Sequence, residues 1–198
     1  LNKIKEDFCY LFVGHWMQGE FGEDRKNVGL LVKSFYETFK NKKKQPALIL
    51  KTSGAGCSYM DRREILRKLD HLRRSINSNK LPKIYFIHGE FTDEEMNDLY
   101  NNPKVKAMIS LTKGEGFGRP LLEFSLTNKP IITTNWSGHI DFLQKEYTSL
   151  INGEVKQVHP SVVQENILIK ESGWFSPHPA EIGHYFIDVH KNYKNYLE

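Results

Sequence analysis

Apolar residues along this chain fall into short runs that alternate with longer stretches where they recur every three or four positions. The runs at 8–13, 47–51, 83–87, 105–110 and 130–134 are hydrophobic at consecutive positions, as strands buried on both faces are. Between the first two, the segment 25–42 spaces Val28, Leu31, Val32, Phe35 and Phe39 as one face of a helix. Ile65, Leu66, Leu69 and Leu72 form the stripe of a second helix. Thr92-Asp93-Glu94-Glu95 is a capping box that opens a short third helix with Met96 and Leu99 inward. Pro120 suits the first position of a fourth, and a closing helix is expected at the C-terminus. Strands joined by helical crossovers predict an α/β fold, a Rossmann-like parallel sheet with helices on both faces, within a single domain over 1–198. Such a sheet binds ligands outside the carboxyl ends of its strands.

That rule directs attention to the loops after the strands. After the first come Gly14-His15-Trp16 and, past a Gly/Glu-rich loop, Asp24-Arg25-Lys26-Asn27 at a helix start. After the second comes Lys51-Thr52-Ser53-Gly54-Ala55-Gly56, after the third His88-Gly89-Glu90, and after the fifth Thr134-Asn135-Trp136-Ser137-Gly138. The fourth is followed by the most informative stretch, Lys113-Gly114-Glu115-Gly116-Phe117-Gly118-Arg119-Pro120-Leu121-Leu122-Glu123. Here a glycine-rich turn runs into a helix N-terminus, where unpaired N–H groups and the helix dipole favour an anion such as a pyrophosphate. Gly116 and Gly118 let that guest approach the backbone. Glu123 is placed to accept from the two hydroxyls of a ribose, and Glu115 from a sugar. Lys26 and Arg25 are candidates to neutralise a diphosphate, with His15, Lys51 and His88 as nearby polar groups. The plain alternative is that Glu115 is a loop charge and Glu123 complements the helix dipole.

Composition narrows the class. The 198 residues are 39% hydrophobic and 26% charged, as in ordinary soluble domains. No apolar run approaches the roughly 20 residues of a membrane span, and the N-terminus lacks the apolar core of a signal peptide, so a cytoplasmic protein is expected. The missing initiator Met suggests a trimmed chain or a fragment. Cys9 and Cys57 read as free thiols. The net charge of +4 is concentrated in Lys40-Asn41-Lys42-Lys43-Lys44 and in Arg62, Arg63, Arg67, Arg73 and Arg74. The arginines flank an apolar stripe and so form the wet face of an amphipathic helix. Charge without interleaved aromatics argues against a nucleic-acid partner, while a surface tolerating acidic lipids or anionic substrates stays open. His178, His184 and His190 lack the spacing of a helical metal pair, and no metal site is expected. Neither a G-x-S-x-G elbow nor a P-loop occurs, which disfavours a serine hydrolase and a P-loop nucleotidase.

The segment from Gly114 to Glu123, followed by Asn128-Lys129-Pro130-Ile131-Ile132-Thr133-Thr134, resembles the signature of retaining GT-B glycosyltransferases (glycosyl transferases group 1) with an E-x7-E motif. Phe12-Val13-Gly14 with Arg25-Lys26-Asn27 is similar to that family's first strand and phosphate-binding lysine. Ile84-Tyr85-Phe86-Ile87-His88-Gly89 with Asp93-Glu94-Glu95 and Leu99-Tyr100 is similar to its third strand and following helix. The resemblance covers about residues 8 to 143. It implies one half of a GT-B fold, the C-terminal donor-binding domain, with the N-terminal domain that carries the acceptor cleft as its expected partner. The implied substrate is a nucleoside-diphosphate sugar, the acceptor a glycan, lipid or protein, and no cofactor is needed. Lys26 and Glu115 are the implied catalytic residues. His15, Arg25, Lys51, His88, Gly116, Phe117, Gly118, Arg119 and Glu123 are the implied donor-binding set. Two departures stand out. The family usually has Arg where this chain has His15, and a glycine-rich turn where it has Lys51-Thr52-Ser53, so Arg25 or Lys51 is expected to supply the displaced charge. The implied localisation is cytoplasmic, with room for peripheral membrane association in a full-length enzyme. The alternatives are a non-catalytic sugar-nucleotide-binding or partner-docking module, and a GT-B epimerase or phosphorylase relative.

Overall fold

The computed structural model describes residues 1, 3–17, 21–54 and 56–197. Six parallel strands form one sheet in the order β3-β2-β1-β4-β5-β6: β1 (Cys9–His15), β2 (Ala47–Ser53), β3 (Ile84–Ile87), β4 (Val105–Ser110), β5 (Ile131–Thr134) and β6 (Thr148–Ile151). The helices are α1 (Val28–Phe39), α2 (Tyr59–Ser75), α3 (Asp93–Asn101), α4 (Arg119–Ser125) and α5 (Pro179–Lys191). A two-stranded antiparallel hairpin, β7 (Gly153–Gln157) with β8 (Gly173–Pro177), stands apart from the main sheet.

Alternation along β1 sends side chains to opposite faces. Tyr10 and Phe12 join Leu48, Leu50 and Ile109 on the face covered by α1, α2 and α5. Cys9 and Leu11 join Ile49 and Met108 under α3 and α4. The first core is aromatic: Tyr10, Phe35, Phe39 and Phe186 meet edge to face or tilted, with centroids 4.9–6.2 Å apart. Tyr10, fully buried, satisfies its hydroxyl by donating to the Phe186 carbonyl at 2.6 Å. Burial on both faces is why these strands read as continuous apolar runs.

The anticipated elements are present, with instructive shifts. β1 continues through Gly14 and His15, and β2 through Thr52 and Ser53, so His15 and Lys51 sit within strands that pair in register rather than in the loops beyond them. Ala55 and the Gln18-Gly19-Glu20 part of the Gly/Glu-rich loop lie outside the described residues. α1 begins only at Val28, because Asn27 takes a left-handed conformation (φ 56°) that cannot propagate a helix. Leu66 leaves the stripe of α2 and is 38% exposed, whereas Ile65 and Leu72 are buried. The capping box of α3 forms as expected: Thr92 Oγ1 accepts from Glu95 N at 3.2 Å and Glu95 accepts from Thr92 N at 2.9 Å. Pro120 occupies the second rather than the first helical position, after Arg119, where its missing N–H is equally harmless. The tail, not interpretable beyond a closing helix, supplies β8 as well as α5.

Candidate functional site

The site is assembled where β4 leaves the sheet. Thr112 and Lys113 are buried, and their backbone ties three segments together. Thr134 Oγ1 donates to the Thr112 carbonyl at 2.8 Å, Lys113 N to the Arg25 carbonyl at 2.9 Å, and Phe175 N to the Lys113 carbonyl at 3.1 Å. The Lys113 ammonium lies over the Trp174 ring, 4.6 Å from its centroid, and donates to the Gly22 carbonyl. Burial pushes its pKa down, against the pull of Asp24 and Glu23. Asp24 is buried too, and its carboxylate accepts from Val28 N at 3.0 Å, so it holds the start of α1 from outside the helix. Burial raises its pKa.

This stitching brings Lys26 and Arg25 onto Glu115. Lys26 Nζ donates directly to Glu115 Oε1. Arg25 donates to Glu115 Oε2 at 3.2 Å and to the Gly114 carbonyl at 2.6 Å. The Lys26 and Glu115 side chains are only 11% and 9% exposed, while Arg25 is 47% exposed. Burial by itself raises the Glu115 pKa, but the Lys26 hydrogen bond and charge, with Arg25, outweigh it and leave the carboxyl below its ordinary value. Burial lowers the Lys26 pKa, and Glu115 offsets part of that shift. The recess bounded by Val13, Lys26, Ser110, Glu115, Gly118 and Leu121 is only about 10 Å³.

The glycines of the turn divide into two kinds. Gly118 has φ +85°, and a Cβ there would come within 3.0 Å of His139 Cβ, so the fold itself requires glycine. Gly114 and Gly116 have no left-handed φ, and a Cβ on either would meet nothing within 4 Å among the described residues. Neither conformation nor packing among those residues explains them.

The loop after β5 braces the turn from behind. Ser137 Oγ donates to the Glu115 carbonyl at 2.5 Å and accepts from Glu115 N at 2.9 Å, and Gly138 N donates to the same carbonyl at 3.1 Å. To do so, Ser137 adopts φ 82°, ψ −175°, a region essentially restricted to glycine. Gly138 lies so near that a Cβ would fall 2.1 Å from the Gly116 carbonyl oxygen. His139, fully buried, donates from Nε2 to the Thr134 carbonyl at 2.8 Å, which leaves Nδ1 as an acceptor without a partner among the described residues. Its burial lowers its pKa.

The remaining candidates are spread more widely. His15 Nδ1 lies 3.3 Å from Ser53 Oγ. Lys51 donates to the Gly89 carbonyl at 2.7 Å and lies over the Phe91 ring, so Arg25, not Lys51, provides the second cation at Glu115. His88 Nε2 lies 2.8 Å from Asp61 Oδ2, and Asp61 also accepts from Gly54 N at 2.9 Å, a bond that fastens β2 to α2. Phe117 is 56% exposed, with its ring 5.4 Å from that of Phe142. Glu123 accepts from Tyr100 at 3.0 Å and from Arg119 Nε at 2.6 Å, and it lines a groove of about 330 Å³ between α3 and α4. The two carboxylates thus serve two recesses. α4 is only seven residues long. Asp24, Lys113, Ser137 and His139 were not singled out by the sequence. Ser137 and His139 carry no signal in one dimension, since a strained backbone and an orphaned ring nitrogen appear only with coordinates.

The carboxyl edge is also apolar in an unusual way. Met17, Phe21, Tyr59, Met60, Phe117, Trp136 and Ile140 all lie in the segments that follow strands, and each is 38–71% exposed. Among the described residues no helix is long and apolar enough to cross a membrane, and no three His, Cys, Asp or Glu residues cluster as metal ligands would.

No protein-family profile and no curated protein sequence matches this chain. Solved structures do. The C-terminal domain of a glycosyl transferase group 1 family protein (LpcC) from Francisella tularensis superposes with a TM-score of 0.61 at 12% identity, over 99% of this chain and 82% of that one. The catalytic domain of cholesterol-alpha-glucosyltransferase from Helicobacter pylori does so at 0.54 and 15% identity, over 96% and 95%. Anabaena Alr3699/HepE, solved in complex with UDP-glucose, matches at 0.55 and 12% identity, and there the chain spans 41% of the longer protein. At such identities the likeness is one of fold: the chain has the Rossmann-like α/β architecture of GT-B glycosyltransferase C-terminal domains.

Proposed function

We propose that the chain is the donor-binding half of a retaining, metal-independent GT-B glycosyltransferase, a single domain that holds a nucleoside-diphosphate sugar while a second lobe presents the acceptor. The observation that carries this reading is the conjunction at the turn after β4. Two cations converge on Glu115 beside Gly114 and Gly116, whose lack of side chains nothing among the described residues requires. A guest pressed against that backbone supplies the reason, and the cations make the guest an anion. That HepE was solved with UDP-glucose supports the same class of ligand.

In this reading Lys26 and Arg25 exchange Glu115 for the diphosphate and neutralise the charge that grows on it as the bond to the anomeric carbon breaks. The bonding pair leaves with the phosphate oxygen, the acceptor hydroxyl forms the new bond, and its proton is released. Glu115, freed from Lys26, accepts from sugar hydroxyls, with the Gly116, Phe117 and Gly118 backbone alongside. Glu123 takes the ribose, with Arg119 as its present partner. His15 lies near the diphosphate, whereas Lys51 and His88 act on the donor only through the strand ends that they secure. The exposed apolar side chains along the carboxyl edge suit a surface that a second lobe covers.

A thermal-shift panel of uridine, guanosine, adenosine and thymidine diphosphates and their sugars tests the reading. A ligand at a hundred times its dissociation constant stabilises by about 2.7 kcal/mol. Lys26→Ala should abolish the shift. Flat curves across the panel would point to a docking module.

A further inference from the structure

The edge of the sheet opposite the donor turn carries a feature that the proposed function does not use. α1 packs between α2 and α5, and all three end at the amino edge of the strands. There the link into β2 exposes Lys42, Lys43 and Lys44, the end of α2 exposes Arg73, the link into β3 exposes Lys80, and the end of α5 exposes Lys191. None of these six forms an ion pair among the described residues. Of the acids nearby, Glu37 pairs with Lys40, Asp70 with Arg74, and Asp188 with Asn192 and Tyr196, while Asp7, exposed just ahead of β1, forms an ion pair with none of the six.

The patch is contiguous and held in place. Asn41 N donates to the Lys80 carbonyl at 2.8 Å, Ser78 Oγ to Asn41 Oδ1 at 2.9 Å, and Gln45 Nε2 to the Lys80 carbonyl at 3.3 Å, which locks the two links together. On the other side His190, whose ring packs 5.5 Å from that of Phe39, feels both Lys44 and Lys191. Six uncompensated cations exceed the net charge of the whole chain, +4, so the rest of the molecule is net acidic. Complementing helix dipoles does not account for them, because Lys42, Lys43, Lys44 and Lys80 lie outside the helices.

From this charge and its placement, we propose that the amino edge of the sheet docks on an anionic phospholipid membrane. Five of the six cations are lysines, compact point charges rather than the forked, stacking guanidinium groups that read nucleic acid, and no exposed aromatic side chain interleaves with them. Clusters of this size bind acidic bilayers additively, with each charge near the surface contributing. Seven-residue strands at about 3.3 Å per residue set the donor turn roughly 20 Å from this edge, so docking leaves the donor site open to water.

Sedimentation with vesicles tests the proposal on the chain as it stands. It should pellet with phosphatidylcholine vesicles that contain phosphatidylglycerol, stay in solution with phosphatidylcholine alone, and be released as salt rises toward about 1 M, where the screening length falls to about 3 Å. The K42Q/K43Q/K44Q variant should lower the partition coefficient on the order of 100-fold, and R62Q/R63Q at the far end of α2 should leave it unchanged. The triple variant should also keep its thermal shift with nucleoside diphosphate, so that membrane and donor binding fail independently. Equal pelleting with neutral vesicles, no pelleting with either, a triple variant that binds like the parent, or tighter binding to duplex nucleic acid at the same salt would each overturn the proposal.

Discussion

Substituting Ser137 separates the two things that this residue does. Its backbone at φ 82° costs roughly 1–3 kcal/mol for any side chain, and its hydroxyl makes two hydrogen bonds to the Glu115 peptide, each contributing about 1 kcal/mol. Ser137→Ala keeps the strain and loses both bonds, a net loss of about 2 kcal/mol. Ser137→Gly loses the same bonds but relieves the strain, at a cost of about 0.5–1 kcal/mol in unfolded-chain entropy, so its stability should lie between those of the parent and the alanine variant. The lost bonds are common to both variants, so they differ by the relieved strain less the entropy cost, about 1 kcal/mol, and at about 2–4 °C per kcal/mol for a chain of this size the alanine variant should melt some 2–4 °C below the glycine variant. Both should weaken nucleoside-diphosphate binding in a titration, because each frees the Glu115 turn from its brace. Equal melting temperatures would refute the strain argument. Unchanged affinity in both would refute the claim that the clamp positions the turn.

Three further outcomes follow from the same geometry. Gly116→Ala should change the melting temperature by no more than about 2 °C, since its Cβ meets nothing within 4 Å, yet should lower donor affinity at least tenfold in the titration; unaltered binding would remove the reason given for this glycine. Glu115→Gln leaves Lys26 buried and unpaired and should cost about 3 kcal/mol near neutral pH by denaturant unfolding. Because the folded-state pKa of Glu115 lies below the ordinary 4.5, that contribution is present above 4.5 and lost as pH falls through the folded value, so the two proteins should converge in acid. Lys129 donates to the Tyr100 and Asn102 carbonyls, and burial, with Lys106 nearby, pushes its pKa down to about 8. The unfolded chain then binds the extra proton between about 8 and 10.5, so stability should rise with pH across that window, and Lys129→Gln should flatten the rise.

How far the sequence carried the argument depends on the kind of interaction involved. Five of the six strands of the main sheet were legible because their residues are apolar at nearly consecutive positions, and the capping box of α3 because it is a contact between near neighbours; β6, four residues of alternating burial, was not anticipated. β1 was read short because it ends in Gly14 and His15, and β2 because it ends in the polar Thr52 and Ser53. Their backbone still pairs in register with the neighbouring strand, a contact that spans the 38 residues between His15 and Ser53. The hairpin was missed for a related reason: four of the five residues of β7 are exposed, so no apolar period marks it, and β8 is recognisable only once Phe175 stacks on Trp136 with centroids 6.0 Å apart. At the site, the convergence of the Lys26 and Glu115 segments on one edge was anticipated, but the ion pair between the two side chains was not. The assignment of Arg25 rather than Lys51 as the second cation needed coordinates, because both lie toward the carboxyl edge of the sheet and only distance distinguishes them.

The two carboxylates of the turn and of α4 illustrate how a pattern becomes a mechanism. Eight positions apart in sequence, Glu115 and Glu123 fall on opposite sides of the chain's entry into α4, and each is already satisfied, one by buried cations and the other by Tyr100 and Arg119. Neither is a free acceptor waiting for a hydroxyl, so a donor gains from each only what remains after its present partner is displaced. Arg119 is 73% exposed and loses little by returning to water, whereas Tyr100 is buried and keeps its hold on Oε2. A ribose at Glu123 would therefore take the place of the guanidinium on Oε1 and leave the tyrosine bond intact. In the proposed reading the exchange at Glu115 runs the other way: Lys26 is buried and costly to leave without an anion, so the carboxylate would turn toward a sugar only when a phosphate took over the lysine. Diphosphate binding and the availability of Glu115 are thereby coupled, and a neutral sugar alone should find this site closed.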